Sequence, residues 1–166
     1  FFTFQVNDII NIPKSAILKI RGSSTSAADM FLVKSNQGNL LANASLNDIP
    51  GFSDTSTSDG SGAGTMDGHV QLYCDSEITT WSTSGYNDIV LNGRALHDIA
   101  KYADGSLGSA AQFQCALISK EDYEDTTPTS STNYSGVVYA DFSGTSKDPK
   151  LEITEQDNSV FFAANF

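Results

Sequence analysis

The chain opens on alternation. Phe2, Phe4 and Val6 share one parity and Thr3, Gln5 and Asn7 the other, which is the period of a strand with one face in a core. A turn at Ile12-Pro13-Lys14 follows, and then Ala16, Leu18 and Ile20 alternate with Ile17, Lys19 and Arg21, a second strand with one mostly polar face. Met30-Phe31-Leu32-Val33 is continuous rather than alternating, as suits a strand buried on both faces. Val70, Leu72 and Cys74 alternate with His69, Gln71 and Tyr73; Ile78 and Trp81 follow, and Tyr86 to Leu91 resumes the strand pattern. Phe113 to Ile118 is a further strong strand. One segment changes period. Leu96, Ile99 and Ala100 share a helical face, Asn92 stands where an N-cap belongs, and Gly105 offers a stop beyond Lys101.

Near the end, Val137 to Phe142 and Lys150 to Thr154 are rich in β-branched and aromatic residues and flank the polar stretch Ser143 to Pro149. This reads as a closing hairpin. Residues 36–68, rich in Asn, Ser, Asp and Gly, read as irregular, and Lys120 to Tyr134 as an acidic, then Thr/Ser/Pro-rich loop. Many short strands and one helix near 93–103, with no repeated βαβ order, predict an all-β fold: an antiparallel two-sheet β-sandwich of jelly-roll type. Residues 1–157 are assigned to that domain and 158–166 to an apolar tail, either an edge strand or an interface segment.

Composition adds exclusions. The 166 residues carry 20 acids against 9 bases, a net charge of −11, which repels phosphate backbones and anionic membranes. Nucleic-acid and membrane partners are therefore not expected. With 39% hydrophobic, 10% aromatic and 17% charged residues, the chain can bury a core without metals or disulfides. Its two cysteines, Cys74 and Cys115, each lie in an apolar run and read as small buried residues, with a bridge between packed sheets as the other option.

Candidate chemistry is sparse. His97 lies within the helix and reads as a surface or boundary residue, and His69 with Asp67 and Cys74 forms no ligand spacing. No Gly-x-Ser-x-Gly elbow occurs, so neither serine hydrolysis nor any other catalytic constellation is indicated, and no enzyme is expected. Gly60 to Gly64 reads as flexible loop rather than a phosphate cradle, and Asp54 to Gly60 lacks the core of a calcium loop. Glu121, Asp122, Glu124 and Asp125 pack four acids into five residues and are the candidate calcium ligands, since an extended loop could converge them on one hard cation. No other cofactor is implied. Trp81 and Tyr86 flank a polar Ser82–Gly85 turn and are the candidate platform for a sugar ring, against the plainer reading of Trp81 as core. The tail Val160-Phe161-Phe162-Ala163-Ala164-Asn165-Phe166 carries Phe161, Phe162 and Phe166 as candidate interface residues, or folds back as an edge strand of its own domain.

Four stretches together resemble the DNRLRE-type family of β-sandwich domains. These are Ile12-Pro13-Lys14-Ser15-Ala16-Ile17-Leu18-Lys19-Ile20, Ile89-Val90-Leu91 with Leu96 to Tyr102, Phe113 to Ile118, and Phe142-Ser143 with Asp148-Pro149-Lys150-Leu151-Glu152-Ile153. Of the family's tryptophan-rich middle only Trp81 is present. The resemblance implies a non-enzymatic structural protein of a virion or extracellular surface: a phage head fibre, decoration or tail-fibre domain working in assembly or adhesion. The partners would be copies of itself or other virion or surface proteins. The alternative it implies is a carbohydrate-binding module of a secreted or cell-surface protein, with glycans as partners.

Overall fold

In the computed structural model of the chain, residues 1–24, 29–36, 49–50, 52–53, 65–66, 70–124, 136–138 and 146–156 are described. They form, in order, β1 (Phe2–Gln5), β2 (Pro13–Ser24), β3 (Met30–Lys34), β4 (Phe52–Ser53), β5 (Thr65–Met66), β6 (Tyr86–Val90), α1 (Gly93–Ala103), β7 (Gln112–Ser119), α2 (Lys120–Glu124), β8 (Gly136–Val138) and β9 (Lys150–Glu155). The fold is all-β with two main sheets, as the alternation predicts. One sheet runs β1-β7-β3, with Phe4 opposite Phe113 and Leu32 opposite Leu117. The other is built on β2. β6 pairs with Ile17–Arg21 and β9 with Pro13–Lys19, so Ile17 to Lys19 carry a partner on each edge. Every pairing in both sheets is antiparallel.

The parity read from β2 is the parity observed. Ala16, Leu18 and Ile20 are buried and join Leu32, Phe113 and Cys115 of the other sheet, Ile89 and Leu91, and Ala95 and Ile99 of α1 in one core cluster. Burial of each larger apolar side chain is worth about 1.5–3 kcal/mol, which makes this cluster the main driving force of the fold. β7 has no exposed residue. Phe113 and Cys115 enter the main core, while Ala116 and Ile118 point the other way, into a smaller cluster with Val33, Ile49 and Val70. Leu32 and Val33 are likewise both fully buried, the double burial that the continuous run at Met30–Val33 implies.

Asn92 caps α1 as expected. Its side-chain oxygen accepts from the backbone N–H of Arg94 and Ala95, satisfying two of the donors left free at a helix start. The buried face is rotated from the predicted one. Ala95, Asp98 and Ile99 are buried, Leu96 and Ala100 only partly, and His97 is exposed. The helix packs on β2 and β7.

Four expectations are corrected. Val70 to Cys74 is no ladder strand: it touches β3 through a single bridge, Val33 to Leu72, and Tyr73 is wholly buried against Phe113 at 5.1 Å between ring centroids. The closing hairpin does not form between the described parts of its two arms. β8 pairs with Gly22–Ser24 and β9 with Pro13–Lys19, both antiparallel to β2, so the two arms run in the same direction along one long strand. Within 36–68, β4 and β5 form a minimal ribbon, with Phe52 opposite Met66. The acidic stretch begins as a helical turn, α2, and not as loop. Ser119 caps its start: the Asp122 N–H donates to the Ser119 hydroxyl, which donates back to the Asp122 carboxylate at 2.8 Å.

Candidate functional site

Asn87 organises the only polar turn flanked by the two candidate platform residues. It is buried on β6. Its amide oxygen accepts from Ser82 N–H at 2.6 Å, and its amide nitrogen donates to the carbonyls of Ser82 at 3.1 Å and Ile20 at 3.3 Å. The Ser82–Gly85 turn is therefore tied to β2 through one side chain. Arg21 Nη2 adds a 2.8 Å bond to the Ser84 carbonyl, and Gly85 N–H closes on the Ser82 hydroxyl at 3.2 Å. A turn held from three directions is preorganised, so groups beside it are presented without an ordering cost on binding.

Trp81 and Tyr86 line one groove of about 630 Å³, walled by the segment Cys74 to Ser82 and the strand Tyr86 to Val90. That volume lies within the range of small-ligand clefts. Both aromatic residues are partly buried. Trp81 is half-buried and packs on the edge of the main core. The Tyr86 hydroxyl donates to the carbonyls of Ser146 and Asp148, each at 3.1 Å, and the Lys150 ammonium sits 5.1 Å from its ring centroid. Tyr86 thus anchors the segment leading into β9.

The remaining walls mix apolar Ile78, Ile89 and Val90 with polar groups. Thr79, Thr80, Ser82 and Asn87 offer hydroxyl and amide groups, and Asp75, Glu77 and Asp88 offer carboxylates. Glu77 is paired with Lys120 at 3.1 Å and Asp88 with Lys19 at 3.4 Å; Lys19 also reaches Glu152 at 3.3 Å. The hydrogen bond to Glu152 is the first cause of a raised Lys19 pKa, and the one to Glu77 is the first cause for Lys120. Two of the three groove carboxylates therefore carry a compensating cation. The lining suits recognition of neutral hydroxyl-rich ligands better than of anions.

No protein-family model, curated protein or solved structure matches this chain. The DNRLRE-type resemblance therefore rests on its four stretches alone.

The other predicted residues fall in three ways. Glu121, Asp122 and Glu124 lie on α2, where the Asp122 carboxylate is engaged by Ser119; Asp125 lies outside the described residues. Calcium takes about six to eight oxygens, whereas among the described residues no three or more His, Cys, Asp or Glu are grouped to hold a metal ion. Phe161, Phe162 and Phe166, together with Asp54 to Gly60, Gly60 to Gly64, Asp67 and His69, lie outside the described residues. Cys74 and Cys115 are both free and buried, with no bridge between them. Burial pushes both thiols up, Cys115 to about 12, which keeps it a protonated, unreactive core residue at neutral pH.

Sequence reading missed Asn87 and Asp98, the two buried polar side chains with the most partners. The available signal for Asn87 was its parity. It shares the inward face of β6 with Ile89, the position at which an Asn must find internal partners. Among the described residues, no helix is long and apolar enough to cross a membrane.

Proposed function

We propose that this chain is a non-enzymatic adhesion or assembly domain of a virion or extracellular surface, and that the groove beside the Ser82–Gly85 turn is where it holds a saccharide. The observation that carries the reading is that Trp81 and Tyr86 share one groove, on a turn braced by Asn87 and Arg21. The apolar face of a sugar ring stacks on an indole, and its hydroxyls donate to carboxylates and accept from hydroxyl and amide groups such as those of Thr79, Thr80 and Ser82. A net charge of −11 favours neutral over anionic glycans. The wider role in a virion or surface assembly rests on the family resemblance.

A glycan array followed by calorimetry on the hits tests this reading. Binding to neutral glycans that falls at least tenfold in Trp81→Ala, with an unchanged melting temperature, supports it. An array without hits, or binding untouched by Trp81→Ala, removes the groove as the adhesive site.

A further inference from the structure

The apolar corner at Ile9–Ile12 lies next to the last described residue. Ile10 is 89% exposed and Ile12 61% exposed, two of the largest apolar exposures on the molecule. Single exposed isoleucines are ordinary, but these two belong to a recess. Ile9, Ile10 and Ile12 form one side of a concavity of about 300 Å³; Ala100 and Ala103 of α1, small residues that leave room, form the other.

The chain is delivered to this recess by its own backbone. The Gln156 N–H donates to the Ile12 carbonyl at 2.9 Å, one step past the β2–β9 ladder, which ends at Pro13 opposite Glu155. The Glu155 carboxylate accepts from the N–H groups of Ile10 and Asn11. Beyond Gln156 come residues 157–166. Their sequence is Asp157-Asn158-Ser159, a polar spacer, then Val160-Phe161-Phe162-Ala163-Ala164-Asn165-Phe166.

We propose that the segment Val160–Phe166 of the same chain docks in the recess formed by Ile9, Ile10, Ile12, Ala100 and Ala103. At about 3.3 Å per extended residue, Val160 lies within about 13 Å of Gln156, so the spacer reaches the recess without strain. A tether that short gives an effective concentration in the millimolar range, well above ordinary working concentrations of a second copy. Docking in cis also covers the exposed isoleucine corner. The Trp81 groove has no part in this inference, and its ligand is tested separately.

Chymotrypsin, which cuts after Phe, reads the docking directly. Cleavage at Phe161 and Phe162 in the full chain, followed by mass spectrometry, is compared with the same sites in Ile10→Asp/Ile12→Asp, and light scattering gives the oligomeric state. The expected result is a monomer whose sites are cut at least tenfold more slowly than in the variant, at a rate unchanged by dilution. Ala100→Gln, which fills the recess from the helix side, provides a second route to the same release if the double variant folds poorly. Equal cleavage rates in the full chain and the variants would overturn the proposal. Protection that fades on dilution, with a dimer by light scattering, would overturn it in favour of docking on a second copy.

Discussion

The carboxylate of Asp98 accepts a 2.7 Å hydrogen bond from the hydroxyl of Tyr73, and both side chains are buried. The same oxygen takes the Lys34 ammonium at 2.8 Å and the Gln71 amide at 3.3 Å. Two segments are thereby fastened to one point on α1: β3 through Lys34, and the bridge region before the groove through Gln71 and Tyr73. An isolated buried carboxylate is strongly unfavourable, and three donors including a cation are what make this one tolerable. Asp98→Ala strands the ammonium and the phenol together and is expected to cost about 3 kcal/mol. Tyr73→Phe removes one hydrogen bond and should cost about 1–2 kcal/mol. Urea unfolding of the two variants checks the order; equal costs would mean that the ion pair contributes nothing.

Asn92 works in two directions. Its oxygen caps α1, and its amide nitrogen donates to the carbonyls of Leu72 at 3.0 Å and Cys74 at 3.4 Å. Asn92→Asp keeps the cap and loses the donors, while Asn92→Ala loses both. The cap alone is worth about 1 kcal/mol. Asn92→Ala is therefore expected to destabilise by about 2 kcal/mol, with Asn92→Asp also destabilising because it sets a carboxylate against two carbonyls. Thermal unfolding separates these outcomes, and an Asp variant as stable as the native chain would deny the donor role.

Asn87→Ala should free the Ser82–Gly85 turn from β2 and leave the Ser82 N–H and the Ile20 carbonyl without their side-chain partner. The expected stability loss is about 1–3 kcal/mol. The local consequence is more diagnostic. Trp81, the only tryptophan of the chain, should show red-shifted and more quenchable fluorescence as the turn loosens. An unchanged emission spectrum would mean that Trp81 is held by its core packing and not by the turn.

Alkaline pH should weaken the fold. Burial pushes the Cys115 thiol from 9.0 to about 12, and burial first, then the hydrogen bond to Asp98, raises the Tyr73 phenol. A group whose pKa rises on folding contributes fully below its unfolded value and loses that contribution as pH climbs toward the folded one. Both groups stay neutral at pH 7, so the melting temperature is expected to fall from about pH 9 upward. Burial raises the Cys74 thiol as well, and Cys115→Ala, lacking one of these groups, should show a shallower decline. A flat profile between neutrality and pH 11 would contradict this assignment.

Much of the framework was legible in the residues themselves. Alternation placed β1, β2, β6 and the inward faces of Leu18 and Ile20; a continuous apolar run marked β3 as doubly buried; and Asn92 announced α1 before any contact was known. These signals are local, because parity, helical period and capping depend on neighbours within a few residues. Partner choice is not local. The described parts of the two arms of the expected closing hairpin both pair with β2, whose 12 residues offer a long edge. The burial of Asp98 and Asn87 was equally hidden, since their partners Lys34 and Ile20 lie 64 and 67 residues away. A polar side chain reads as surface until the fold brings it donors. The sequence by itself determined most of the longer segments that become strand or helix and which way many of their side chains face. Only the tertiary structure decided which strands pair, which polar groups are buried, and that Trp81 and Tyr86 share a groove, because each of these depends on segments that meet only when the chain has folded.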